Sequence, residues 1–83
     1  MKVRLRLFAS LKPFAPTGSS EGKFDLDLPE GTTPQQVIEQ LALPPRITAL
    51  VMIDGRHQTP EDVVQRALLE GEVLAIAPPI AGG

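Results

Sequence analysis

Two short segments in which every second residue is apolar limit this chain more than any other feature. From Lys2 to Ala9, the residues Val3, Leu5, Leu7 and Ala9 alternate with Lys2, Arg4, Arg6 and Phe8. From Lys23 to Leu28, the residues Phe24, Leu26 and Leu28 alternate with Lys23, Asp25 and Asp27. Successive strand side chains leave opposite faces, so a period of two predicts half-buried strands with the apolar set inward. Between them Ser10 to Lys23 holds Pro13, Pro16, Gly18 and Gly22 and reads as a loop, with Pro16 to Gly22 its mobile part. Two alternating strands and a loop predict a hairpin. Its outer face would set Arg4 and Arg6 near Asp25 and Asp27, as cross-strand pairs of about a few tenths of a kcal/mol each rather than a ligand site.

The pattern then changes. After the turn Pro29-Glu30-Gly31, Thr33 is a good helix N-cap, Pro34 suits the first helical position, and Gln36 completes a capping box. Val37, Ile38, Leu41 and Ala42 follow on one helical face, and Pro44-Pro45 ends the helix. Thr48 to Ile53 is a continuous apolar run, expected as a strand covered on at least one face. Asp54-Gly55 is a strong hairpin signal and predicts a short returning strand over Arg56 to Gln58. Thr59-Pro60-Glu61-Asp62 is a second capping pattern, with Val63, Val64, Ala67 and Leu68 at helical spacing behind it. Gly71 turns the chain into a last strand over Glu72 to Ala77, with Leu74 and Ile76 inward. A hairpin, one main helix and further strands make an α+β layer architecture. The first and last strands can pair in parallel at the centre of one mixed sheet of four to five strands if the helix is the crossover. That arrangement is the β-grasp, or ubiquitin-like, fold.

The totals exclude several functions. Eighty-three residues make one domain, and a domain this small buries only about 60–65% of its unfolded surface. There is no cysteine, which excludes disulfides, a zinc–cysteine site and a persulfide carried on a side chain. A net charge of −2 gives no support for nucleic-acid binding. The longest apolar run falls far short of the ~20 residues a membrane span needs. Lys2 leads straight into alternating residues with no apolar signal core, so the expected location is cytoplasmic and no membrane partner is expected. The only histidine, His57, beside a hairpin turn and without cysteine partners, reads as a solvated surface residue.

The chemistry is expected at the other end of the chain. Leu74 to Gly83 reads L-A-I-A-P-P-I-A-G-G. Pro78 and Pro79 end the last strand, lacking N–H groups for the ladder, and favour a stiff extended backbone. Ile80 to Gly83 can then reach roughly 13 Å at about 3.3 Å per residue. A bare Gly-Gly end is usually just a fraying terminus. Behind Pro-Pro and a strand it becomes a tail held out by residues 1–79, with 80–83 the exposed and flexible part. Glycines without Cβ atoms can thread a narrow channel. The only reactive group there is the α-carboxylate of Gly83, a poor electrophile until activated, for instance as an acyl-adenylate.

These stretches resemble a known family. K-V-R-L-R-L-F-A at 2–9, P-E-G-T-T-P-Q-Q-V-I-E-Q-L at 29–41, V-M-I-D-G at 51–55 and L-L-E-G-E-V-L-A-I-A-P-P-I-A-G-G at 68–83 are similar to the small, sulfur-carrying subunit of molybdopterin synthase. The Pro-Pro-x-x-Gly-Gly ending is the most specific part, since the Gly-Gly carriers of the thiamine pathway usually lack the Pro-Pro. The resemblance implies that the chain is no enzyme on its own and binds no cofactor. An E1-like adenylyltransferase using ATP would adenylate Gly83, and a desulfurase or rhodanese-type donor would supply sulfur, giving a C-terminal thiocarboxylate. The large synthase subunit would then receive Pro78, Pro79, Ile80, Ala81, Gly82 and Gly83 for transfer to the pterin precursor. The family often has an aromatic residue just before the Pro-Pro, where this chain has Ala77. Phe8, pointing away from the core face, would either replace it as a partner contact or be covered by the loop that follows. The same tail chemistry also serves a ubiquitin-like modifier joined through Gly83 to lysines, or a carrier of the thiamine or tungsten-cofactor pathway.

Overall fold

The computed structural model describes residues 1–44 and 50–78. The strands are β1 (Lys2–Leu7), β2 (Lys23–Asp27), β3 (Leu50–Ile53), β4 (Arg56–His57) and β5 (Val73–Ala77), and the helices are α1 (Pro34–Gln40) and α2 (Pro60–Gln65). The strands form one five-stranded sheet in the order β2-β1-β5-β3-β4. β1 and β5 are parallel neighbours and every other pairing is antiparallel. This is the β-grasp arrangement that the alternating strands and the single crossover predict.

The strands form where a one-sided apolar pattern meets the sheet. Val3, Leu5 and Leu7 of β1, Val51 and Ile53 of β3, and Leu74 and Ile76 of β5 are all buried in one aliphatic core. Val37 and Ile38 of α1 enter the same core, and Phe24 and Leu26 of β2 pack against it half-buried. Asp54 and Gly55 both take positive φ, at 50° and 82°, the backbone that a two-residue hairpin matched to strand twist requires.

Both helix starts are as expected. The Thr33 side chain accepts from the Gln36 backbone N–H, and the Gln36 side chain accepts from the Thr33 N–H. The Thr59 side chain accepts from the Asp62 N–H. The ends differ. Helix α1 stops at Gln40, and Ala42, expected on its apolar face, is exposed with φ of 57°. Ala42 N–H donates to Glu39 O and Leu43 N–H to Ile38 O, the paired bonds of a Schellman C-cap. The helix therefore ends by its own backbone bonds, ahead of Pro44, and Leu43 rather than Ala42 closes the core. Helix α2 stops at Gln65, because Arg66 turns to extended backbone with ψ of 115°. Ala67 and Leu68 are not helical, and Leu68 reaches the core from extended chain, its N–H donating to Thr32 O. Val64, also expected inward, stays exposed.

The first loop holds a further difference. β1 ends at Leu7, and Ala9, expected inward, is exposed with φ of 51° at the start of a 3-10 helix, Ala9–Phe14. That helix drives Leu11 fully into the core, which is why a segment rich in proline and glycine is structured.

Candidate functional site

The site follows from where β5 leaves the sheet. Its two neighbours are β1 and β3, with Leu7 opposite Ile76 and Leu50 opposite Ala77. Phe8 N–H donates to Ile76 O at 3.1 Å, extending the parallel ladder one residue past β1. Pro78 follows at once, half-buried and outside the strand, as its missing N–H dictates. Of the expected tail residues, Pro78 is thus placed, while Pro79, Ile80, Ala81, Gly82 and Gly83 lie outside the described residues.

The exit is braced from the side. Leu7 N–H donates to Gly22 O at 2.9 Å. Gly22 is buried, with φ of 79°, and a Cβ there would run into the Leu7 carbonyl oxygen. Only glycine suits this close approach. A chain of backbone contacts therefore runs from Gly22 through Leu7 and Phe8 to Ile76, two residues before Pro78. Nothing in the sequence marked Gly22 beyond its place in a loop.

Phe8 is 41% exposed, so the following helix leaves much of it open. Strand alternation sets Val73, Ala75 and Ala77 of β5 on the sheet face opposite the core, with Leu50 and Met52 of β3 beside them. Ala75 is flanked in register by Arg6 on β1 and Met52 on β3. The outer face around the exit is thus a narrow apolar strip, bordered on the β2 side by Arg4, Arg6 and Lys23. The expected charge pairing holds only in part. Arg4 lies opposite Asp25 and Lys2 opposite Asp27, but Arg6 lies opposite Lys23. Among the described residues only Arg66 and Glu72 form an ion pair within 4 Å. The cross-strand pairs are therefore register neighbours without ionic contact. His57 is exposed on β4 opposite Met52.

The opposite pole of the sheet, where β1 and β5 begin, is fastened by side chains. Arg66 and Glu72 form a two-pronged ion pair, with nitrogen–oxygen distances of 3.0 and 2.8 Å, and Glu72 also accepts from Leu69 N–H. The Arg66 hydrogen bonds hold the Glu72 carboxyl below its ordinary 4.5, against the opposing effect of burial, and they raise the Arg66 guanidinium in turn. Asp54 accepts from Val73 N–H, and Glu70 from Lys2 N–H. No signal local to residues 66–72 announces this latch, which needs the turn at Gly71 to bring its members together. Among the described residues no group of three or more His, Cys, Asp or Glu could hold a metal ion, and no helix is long and apolar enough to cross a membrane.

Comparison with known proteins agrees with this frame. A family model described as the ThiS family matches residues 5–83. Among curated proteins none matches the chain in sequence. Among solved structures, SAMP1 from Haloferax volcanii superposes with a TM-score of 0.70 at 24% identity, covering 100% of both chains. A putative molybdopterin converting factor, subunit 1, from Pyrococcus furiosus gives 0.63 at 22% identity, covering 95% of this chain and 98% of that one. At such identities the two structures speak for the fold, and the family match speaks for the chain from β1 to its last glycine. The chain therefore belongs to the ThiS family, as a small sulfur-carrier protein of the β-grasp fold.

Proposed function

We propose that this protein carries sulfur on its own C-terminus, as a Gly83 thiocarboxylate, for molybdenum-cofactor assembly. The observation that carries the reading is that the family match extends to residue 83 and so takes in the Gly-Gly end. The domain behind that end is braced around a central strand that runs straight into Pro78. The likeness to a molybdopterin converting factor subunit and the Pro78-Pro79 pair favour the molybdenum branch over the thiamine and tungsten branches.

A Gly83 carboxylate oxygen attacks the α-phosphorus of ATP on an E1-like adenylyltransferase, and pyrophosphate leaves. A sulfur nucleophile from a desulfurase or rhodanese-type donor attacks the acyl carbon and expels AMP. Sulfur delivered as a persulfide also requires a thiol to cleave the remaining S–S bond. The large subunit of molybdopterin synthase then accepts the tail, and the thiocarboxylate sulfur displaces an oxygen leaving group from a carbon of the pterin precursor. Water cleaves the resulting acyl–sulfur bond, leaving sulfur on the precursor and restoring the Gly83 carboxylate. In this scheme the chain contributes the acyl group and its presentation, and the partners contribute the catalytic groups. Gly82 and Gly83 suit a channel too narrow for a Cβ. Pro78, Pro79, Ile80 and Ala81 span the distance to it, and Phe8 contacts the partner beside the exit.

Whole-protein mass spectrometry of cell-derived chain tests this. The expected result is a species heavier by the exchange of one oxygen for sulfur, lost on treatment that hydrolyses thiocarboxylates, with the synthase large subunit co-purifying. Ladders of higher-mass conjugates without that species would instead favour a protein modifier joined through Gly83. Deleting Gly83 should abolish function and leave thermal unfolding unchanged. Retained function would overturn both.

A further inference from the structure

Resting on the reading of the tail as a reactive end, we infer that the cationic border beside the tail exit is a docking surface for an acidic patch on the adenylating partner. The placement of Arg6 opposite Lys23 carries this. Like charges directly opposite in a sheet are destabilising. Both residues are exposed, and among the described residues no carboxylate lies within 4 Å of either. Lys12 is near them, its side chain approaching Gly22, and Arg4 is two residues along β1. The carboxylates of this region are Asp25, opposite Arg4, and Glu21, next to Gly22. Four cations thus face two carboxylates in a chain whose net charge is −2.

The position of this cluster matters as much as its sign. β1 and β5 are parallel, so Arg6 lies at the pole from which residue 78 departs, level with Ala75 and next to Phe8. A partner that takes the tail must come down on this pole. An apolar anchor, Phe8 with the half-buried Ala77 and Met52, and a charged border on one side are what fixes a single approach angle. Charges at such a border act mostly on encounter and orientation. The repulsion between Arg6 and Lys23 is relieved when a carboxylate of the partner comes between them.

The test uses the full-length chain and the adenylyltransferase that gives ATP–pyrophosphate exchange with it. Lys23→Glu and Arg6→Glu each turn the like-charged pair into an opposite-charged one. Both variants should unfold at no lower temperature than the wild type. The carrier concentration giving half-maximal exchange should nevertheless rise about tenfold at low ionic strength. The gap should close as salt shortens the screening length from about 10 Å at 0.1 M to about 3 Å at 1 M. A merely structural role would not give equal or greater stability with weaker docking. The double variant R6Q/K23Q, which removes charge without reversing it, should show a smaller rise of the same kind. If half-maximal concentrations stay unchanged while wild-type exchange is intact, the docking inference is overturned and the tail reading stands. If the wild-type chain supports exchange with no adenylyltransferase, the tail reading falls and this inference falls with it.

Discussion

The two poles of the sheet are built on different terms. Where β1 and β5 begin, side chains hold the structure: Glu72 grips Arg66 and the Leu69 amide, Asp54 the Val73 amide, and Glu70 the Lys2 amide. Where the same strands end, backbone does the holding, through Gly22, Leu7, Phe8 and Ile76, and the side chains of Phe8, Arg6 and Lys23 are left exposed. The contrast teaches how a small domain keeps both stability and a usable surface. Polar side chains spent on internal latches are unavailable to a partner, so the latches gather at the pole away from the tail.

This division can be broken most sharply at Gly22, the anchor of the backbone-held pole. Gly22→Ala must relieve both a positive φ and a clash with the Leu7 carbonyl, and should cost roughly 3 kcal/mol, read by denaturant unfolding. Its amide neighbours Phe8 and Leu7 should show the largest NMR shifts, although they sit at the pole without side-chain latches.

Next in size is Glu72→Ala. It removes a two-pronged ion pair whose carboxylate is only 11% exposed, and it orphans the Leu69 amide, for a loss of about 2 kcal/mol. The sign with pH follows from the depressed carboxyl. The advantage of wild type over the variant is fully present above the unfolded value of 4.5 and is lost as pH falls from there through the lower folded value. Unfolding curves of both proteins between neutral and acid pH should converge on the acid side.

Asp54→Ala should lose about 1 kcal/mol, from the Val73 amide bond and from placing alanine at positive φ. Asp54→Asn, which tolerates the turn, should recover part of it. Smallest in stability is Phe8→Ala, expected below about 1 kcal/mol because the residue, at 41% exposed, lies outside the hydrophobic core. The same variant should weaken exchange with the adenylyltransferase clearly. If Phe8→Ala proved as destabilising as Glu72→Ala, the contrast between the poles would fail.

How much of this was readable in advance depends on the range of the force responsible. The alternation of Val3, Leu5 and Leu7, the Thr33 capping box and the Asp54-Gly55 turn are settled by neighbours in sequence, and all are found as expected. Ala67 and Leu68 misled because helical spacing continues through them, while Glu72 draws Arg66 out of the helix from across a turn. Ala42 misled because a left-handed cap is normally signalled by glycine. At the candidate site, Phe8 was legible from alternation. The facing of Arg6 and Lys23 was not, because it depends on strand register rather than on either residue. The tail was legible only as a motif, since four small or apolar residues carry no packing signal of their own.

The pairing of Arg4 with Val73 has one more consequence. The middle of the sheet is completed by β5, a strand made after both of its neighbours, β1 and β3. A chain interrupted before residue 73 lacks the strand that separates β1 from β3 and cannot close its core. Copies that stop short of that strand should then be left to proteolysis.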